Sequence, residues 1–319
     1  MHSRKMVFMF SGQGSQYFQM GRELFEKNSY FRTELSRLDA IAAGLLNGSI
    51  IELLFDERNK KGMPFNDAAR TGLAIYMIEN VLANLLIRND LRPDYLLGYS
   101  LGTYAAASVA NCMNAQQAMA TIVEAATIFE EECEPGFMVA ILNDRRVFLD
   151  DPWLRSQTDL AATNFNGNFV LSSSLDKWVP LKQCLEEHGL TFQRLDVSRA
   201  YHSRWVDPAK HRFRKTFGSF VSGSPTIPIL SCAHDGILRS LDGSSMWEIA
   251  RNTIKFDETI ARLEHKEPHL YIDVGPAGTL ATCLKYSNLL QPDSEALAIL
   301  TPFGADHKNF ERLLASLRH

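Results

Sequence analysis

The 319-residue chain is 45% apolar and 22% charged and carries a net charge of −4, the balance of a folded protein long enough for two domains or for one with an insertion. A net negative chain offers no general basic surface, so a nucleic-acid partner is not expected. The five cysteines, Cys112, Cys133, Cys184, Cys232 and Cys283, are odd in number and never in C-x-x-C spacing; this argues against a disulfide framework or a zinc site and for a reducing, cytoplasmic setting.

The first apolar stretch, residues 6–10, is too short for a signal segment or a membrane span and reads as a buried strand, so no membrane role is expected. It runs into the loop Ser11-Gly12-Gln13-Gly14-Ser15-Gln16. Helical patterns follow over 20–26, 32–43 and 50–55, then a long one over 73–88. Arg92-Pro93-Asp94 breaks the chain before a short apolar strand over 95–98. Helices are predicted over 101–110 and 115–132.

After Pro135-Gly136 the texture changes. A strand over 137–142 and a short helix over 145–149 precede a strand pair, 160–164 and 169–173, joined through Asn166-Gly167-Asn168. A helix over 176–188 and a strand over 191–197 complete a β-α-β-β-α-β order, which predicts a ferredoxin-like α+β insertion over residues 134–198. The earlier alternation then returns. A strand spans 227–231, helices span 246–251 and 257–263, and a strand over 270–274 enters the turn Gly275-Pro276-Ala277-Gly278 and another helix. Strands alternating with helices imply a mostly parallel sheet covered on both faces. The fold class is α/β: an α/β-hydrolase-like large domain built from 1–133 and 199–319, with the insertion between them.

Gly98-Tyr99-Ser100-Leu101-Gly102 falls where a strand becomes a helix. A G-x-S-x-G elbow in that context exposes a nucleophilic hydroxyl, and the helix behind it favours negative charge; the plainer reading is a glycine turn with an incidental serine. A serine nucleophile needs a base. Of the nine histidines, His202 follows a strand directly, where the insertion rejoins the large domain, and loops at strand ends are where such sites are built. Spacing alone does not separate it from an ordinary loop histidine. The loop over 11–16 lacks the lysine of a phosphate loop and does not complete G-x-G-x-x-G. It is better suited to offer a backbone N–H to an oxyanion, with Leu101 offering the other. Removing one such donor costs roughly 3–4 kcal/mol of transition-state stabilisation. No metal or nucleotide cofactor is implied.

Four motifs occur together: "FMFSGQGSQYFQMG" near the start, "GYSLGTYAAA" around Ser100, "AYHS" around His202 and "DVGPAGTLAT" toward the end. In this order and spacing the chain resembles, over nearly its whole length, the malonyl-CoA:acyl carrier protein transacylase family, which includes the acyltransferase domains of polyketide synthases. The resemblance implies the same fold, Ser100 as the acylated serine, His202 as its base, and Gln13 and Leu101 as the oxyanion amides. It implies that a backbone carbonyl orients the histidine, at the position of Ile249.

The departures from the family pattern bear on substrate. Tyr99 stands where the family usually has histidine. Malonyl-transferring members carry a carboxylate-binding arginine where this chain has Ala125, and tend to read His-Ala-Phe-His where it has Arg199-Ala200-Tyr201-His202. An unpaired carboxylate in a closed pocket costs several kcal/mol, and a methyl group cannot replace a bidentate guanidinium. Ala125 therefore disfavours malonyl and leaves room for an uncharged acyl chain. Arg199 is the residue that could restore the charge; otherwise it meets the phosphopantetheine phosphate or lies in solvent. Asn166, in "NFNGN", corresponds to an Asn-x-Asn motif near the family's pocket. The implied partners are acyl carrier proteins of a polyketide synthase, with acyl thioester or acyl-CoA substrates and no cofactor beyond the phosphopantetheine that the substrate carries. The expected activity is that of the family's discrete, trans-acting acyl hydrolases. A malonyl or other acyl transacylase and a non-catalytic carrier-binding scaffold are the alternatives.

Overall fold

The computed structural model describes residues 4–234 and 236–317. Strands β1–β6 run Lys5–Phe10, Tyr95–Gly98, Gly136–Leu142, Asp159–Phe165, Asn168–Ser174 and Thr191–Arg194. Strands β7–β11 run Ile229–Ser231, Ile237–Leu238, Ile254–Lys255, His269–Asp273 and Glu295–Ala298. Helices α1–α7 span Arg22–Lys27, Ser29–Leu46, Ile50–Phe55, Ala68–Arg88, Gly102–Val109, Ala115–Glu132 and Arg146–Asp150. Helices α8–α14 span Pro152–Gln157, Trp178–Glu187, Lys210–Phe217, Gly243–Arg251, Phe256–Glu264, Thr279–Tyr286 and Asp306–Leu317.

The large sheet has the order β11-β10-β1-β2-β7-β8 and is parallel except for the β7–β8 pair. Its central strand shows why both faces must be covered. In β1, Phe8 and Phe10 enter one core while Val7 and Met9 enter the other, all fully buried, as the period-two alternation of a strand requires. On the first face lies α4, buried along most of its length and in contact with α2, α5 and α6. Parallel strands place their carboxyl ends on one edge, where the loops after β1 and β2 meet.

The second sheet has the order β6-β3-β5-β4, antiparallel throughout. This interleaving is that of a ferredoxin-like unit, with a core of its own around Phe137, Val139, Phe169, Leu171, Leu181 and Leu185. The fold is thus a large α/β domain with a small ferredoxin-like subdomain. Strand β9, from the returning segment of the chain, extends the small sheet by pairing in parallel with β4, Ala162 against Ile254 and Thr163 against Lys255.

Several elements differ from the sequence expectation. Strand β6 stops at Arg194 rather than at residue 197, because the Val197 N–H donates to the Leu195 carbonyl at 2.9 Å and folds the chain into a tight turn. Helix α8 was not anticipated; Asp151 caps it by accepting from the Trp153 and Leu154 N–H groups, with Pro152 opening the first turn. Helices α10 and α14 and the short strands β8, β9 and β11 were also absent from the pattern reading. Among the described residues, no helix is long and apolar enough to cross a membrane.

Candidate active site

Strand β2 ends at Gly98, and the chain turns at once into α5. At the turn Ser100 has φ +54°, a left-handed conformation that costs a side-chain-bearing residue energy and clusters at functional sites. Two glycines permit the fold around it. A Cβ on Gly102 would sit 2.3 Å from the Phe10 carbonyl oxygen, and one on Gly12 would sit 3.0 Å from the Ser100 Cβ. The loop after β1 therefore lies directly against the elbow.

His202 also has φ +59°, and its ring is almost wholly buried. Its Nε2 lies 2.9 Å from the Ser100 Oγ. Its Nδ1 lies 2.9 Å from the Asn252 carbonyl oxygen, and its backbone N–H donates to the Ala250 carbonyl at 3.0 Å. Both acceptors belong to the end of α11, where carbonyls lack intrahelical partners. A carbonyl accepts only, so Nδ1 carries the ring proton and Nε2 presents its lone pair to the serine hydroxyl. Burial lowers the imidazole pKa to about 4, against which the Asn252 bond acts to raise it. The ring is neutral at neutral pH.

Gln13 and Leu101 line the cavity beside Ser100, and neither backbone N–H has an acceptor among the described residues. The loop that carries Gln13 is pinned from below. Ser11 donates both its N–H, at 2.6 Å, and its hydroxyl, at 2.8 Å, to Oε1 of Glu79 on α4. Glu79 is fully buried, and burial, with a smaller push from Asp273, holds its carboxyl well above the usual carboxylate range. Glu79→Ala strands two buried donors and is expected to cost roughly 2–4 kcal/mol in chemical denaturation, whereas Glu79→Gln, which keeps an acceptor oxygen, should recover most of it.

Beyond Ser100 lies a cavity of about 60 Å³ whose walls include Ile122, Ala125, Ala126, Phe129, Phe213 and Ile249. Tyr104 and Tyr201 also line it, and among the described residues no lysine, arginine or histidine does. Since about 10–15 Å³ suffices for one water, the space suits a short acyl chain.

A family model described as acyl transferase domain matches residues 7–318. The chain belongs to the acyl transferase domain family. It is 35% identical over 315 residues to the polyketide biosynthesis acyltransferase homolog BaeD of Bacillus velezensis, covering 99% of this chain and 97% of that one. To the polyketide biosynthesis acyltransferase homolog PksD of Bacillus subtilis it is 37% identical over 306 residues, covering 95% and 94%. In fold it is similar to a loading acyltransferase from the avermectin modular polyketide synthase, with a TM-score of 0.87 at 23% identity over 98% of this chain and 100% of that one. It is likewise similar to FabD from Acinetobacter baumannii, at 0.81 and 22% over 98% of each chain.

Within this acyl transferase domain the structure brings Ser100, His202, Gln13, Leu101, Ala125, Tyr201 and Ile249 to one site, and corrects three expectations. Ile249 contributes a side chain to the cavity wall, but the carbonyl that holds the imidazole is that of Asn252, because Asn252 is the residue that ends α11. Arg199 does not reach the cavity. Its Nε, Nη1 and Nη2 donate to the carbonyls of Phe129, Ser198 and Glu130 at 3.1, 3.0 and 2.8 Å, so it caps the carboxyl end of α6, where a cation is favoured. Asn166 sits exposed at the tip of the β4–β5 hairpin; the inward contact is made instead by Asn164, whose Oδ1 accepts from the Tyr99 hydroxyl at 3.0 Å. Of the other histidines, His2 and His319 lie outside the described residues. Sequence reasoning missed Tyr104, Phe129 and Phe213 as lining residues. Tyr104 was within reach: it lies four residues beyond Ser100, in the first turn of the helix that follows the elbow.

Proposed function

We propose that this protein strips short, uncharged acyl groups from the phosphopantetheine thiols of acyl carrier proteins in polyketide biosynthesis, through an acyl-Ser100 ester that water hydrolyses. The observation that carries the reading is the cavity beside Ser100: Ala125 stands in its wall, no cation among the described residues lines it, Arg199 is spent on backbone carbonyls, and Arg251, near His202, is paired with Asp207. A malonyl carboxylate would be stranded there. The setting in polyketide biosynthesis rests on likeness to the two Bacillus homologs.

His202 Nε2 takes the Ser100 proton as Oγ attacks the thioester carbonyl carbon. The C=O electron pair moves onto oxygen, which the Gln13 and Leu101 N–H groups stabilise. The C–S bond breaks, the thiolate takes the proton from His202, and the acyl group remains as an ester. Water, deprotonated by the same Nε2, repeats the addition, and Ser100 leaves with the proton. The Asn252 carbonyl keeps the tautomer and stabilises the transient imidazolium.

Carrier proteins bearing acetyl, butyryl or malonyl groups, followed by intact mass, test the proposal. Rapid loss of acetyl or butyryl to free acid, with malonyl retained, is expected. Efficient malonyl loading from malonyl-CoA onto a carrier, with negligible loss of the uncharged groups, overturns it in favour of a transacylase. A pH profile tests the base. Because burial depresses His202 to about 4, the proton-accepting form persists well below the ordinary histidine range. The rate of acyl-enzyme formation should stay level from pH 7 to about 5 and fall only as pH approaches 4; a midpoint near 6.5 would contradict a buried neutral base.

A further inference from the structure

The cavity is not uniformly apolar. Tyr104 lies on α5 one turn beyond Ser100 and is 5% exposed; Tyr201 precedes His202 and is half-buried, its ring edge-on to Phe129 at 5.4 Å. Both line the cavity. Neither phenol hydroxyl makes a hydrogen bond to another described residue, and neither is among the side-chain oxygens sealed from contact with solvent-sized groups. Tyr104 is otherwise enclosed by protein, and the cavity is the space that its side chain borders. Burial pushes both phenols above their ordinary range, so both keep their protons and act as donors. The other buried tyrosines of the same core behave differently: Tyr76 donates to Ser108 at 2.9 Å and Tyr17 to the Pro276 carbonyl at 3.0 Å. Buried hydroxyls ordinarily find partners within the protein.

We propose that these two hydroxyls recognise an oxygen on the acyl chain, so that the preferred substrates are short, uncharged acyl thioesters carrying a hydroxyl or keto group rather than plain alkanoyl thioesters. The inference rests on the acyl-enzyme reading above and deepens it. A hydroxyl both donates and accepts and a keto oxygen accepts two bonds, so either satisfies the pair. An alkyl chain fills the same volume and leaves both donors stranded, and sites built to hydrogen-bond a substrate oxygen discriminate strongly against analogues that lack it.

The test compares 3-hydroxybutyryl with butyryl on the same carrier protein, with acyl loading of Ser100 and carrier deacylation both followed by intact mass. The native protein should favour the hydroxylated chain roughly 10- to 100-fold in kcat/KM. In Tyr104→Phe, and independently in Tyr201→Phe, the ratio should fall toward one. Equal rates for the two chains in the native protein, or a preference that survives both substitutions, overturns this inference while leaving the acyl-enzyme chemistry standing. Failure of either chain to load Ser100 overturns both.

Discussion

Ser100→Ala should abolish the acyl-enzyme and lower turnover of acyl carriers by about 10⁴-fold or more. The substitution removes the hydroxyl proposed to form the ester while leaving the site otherwise assembled: the His202 ring remains clamped by Asn252, and the loop that carries Gln13 remains held by Glu79. Groups that act as one nucleophilic unit fail together, so any remaining rate reflects binding and the oxyanion donors alone. Intact mass of the protein after incubation with an acyl carrier reads the ester directly, and circular dichroism checks that the variant is folded. A variant that stays folded and retains full activity would reject covalent catalysis at this serine.

Ala125→Arg should reverse the acyl preference. Ala125 lies on α6 in the cavity wall, 8% exposed, in a space of about 60 Å³. A guanidinium there would both fill the apolar volume and pair with a carboxylate. Malonyl loading of Ser100 from malonyl-CoA should rise roughly 100-fold over the native protein, the scale set by pairing a charge that would otherwise be buried alone. Butyryl turnover should drop at least tenfold, because the alkyl chain loses its room and meets a charge. Loss of butyryl turnover without a gain in malonyl loading, in a variant that still folds, would mean that the carboxylate of a bound malonyl group does not lie against α6.

The half of the site that is local in sequence was legible there. Ser100, Leu101 and the glycines around them form one continuous turn, and the chemistry of that turn is written in adjacent residues. The orientation of His202 was not, because the carbonyl that holds it belongs to the end of a helix 50 residues away, and which residue ends α11 depends on where the helix stops, the least certain feature of any periodic pattern. Arg199 misled for a related reason. Its position beside the histidine motif suggested the pocket, but the carbonyls of Phe129 and Glu130 in the last turn of α6 take its guanidinium. Helix α10 escaped notice because only Phe213 and Phe217 mark its inner face among charged neighbours. What makes it a helix is tertiary: Phe213 packs tilted against Phe129 and edge-on against Trp247. Strands β8 and β9, two residues each, have too few positions to show any alternation.

The short strand β9 couples parts of the molecule that the topology separates. Asn252 grips the imidazole, and Ile254 and Lys255, two and three residues after it, are stitched to β4 of the small sheet. Thr253 adds a bond from its hydroxyl to the Leu160 carbonyl at 2.8 Å. The orientation of the proton acceptor is therefore tied to the position of the small sheet through three consecutive residues, 253–255.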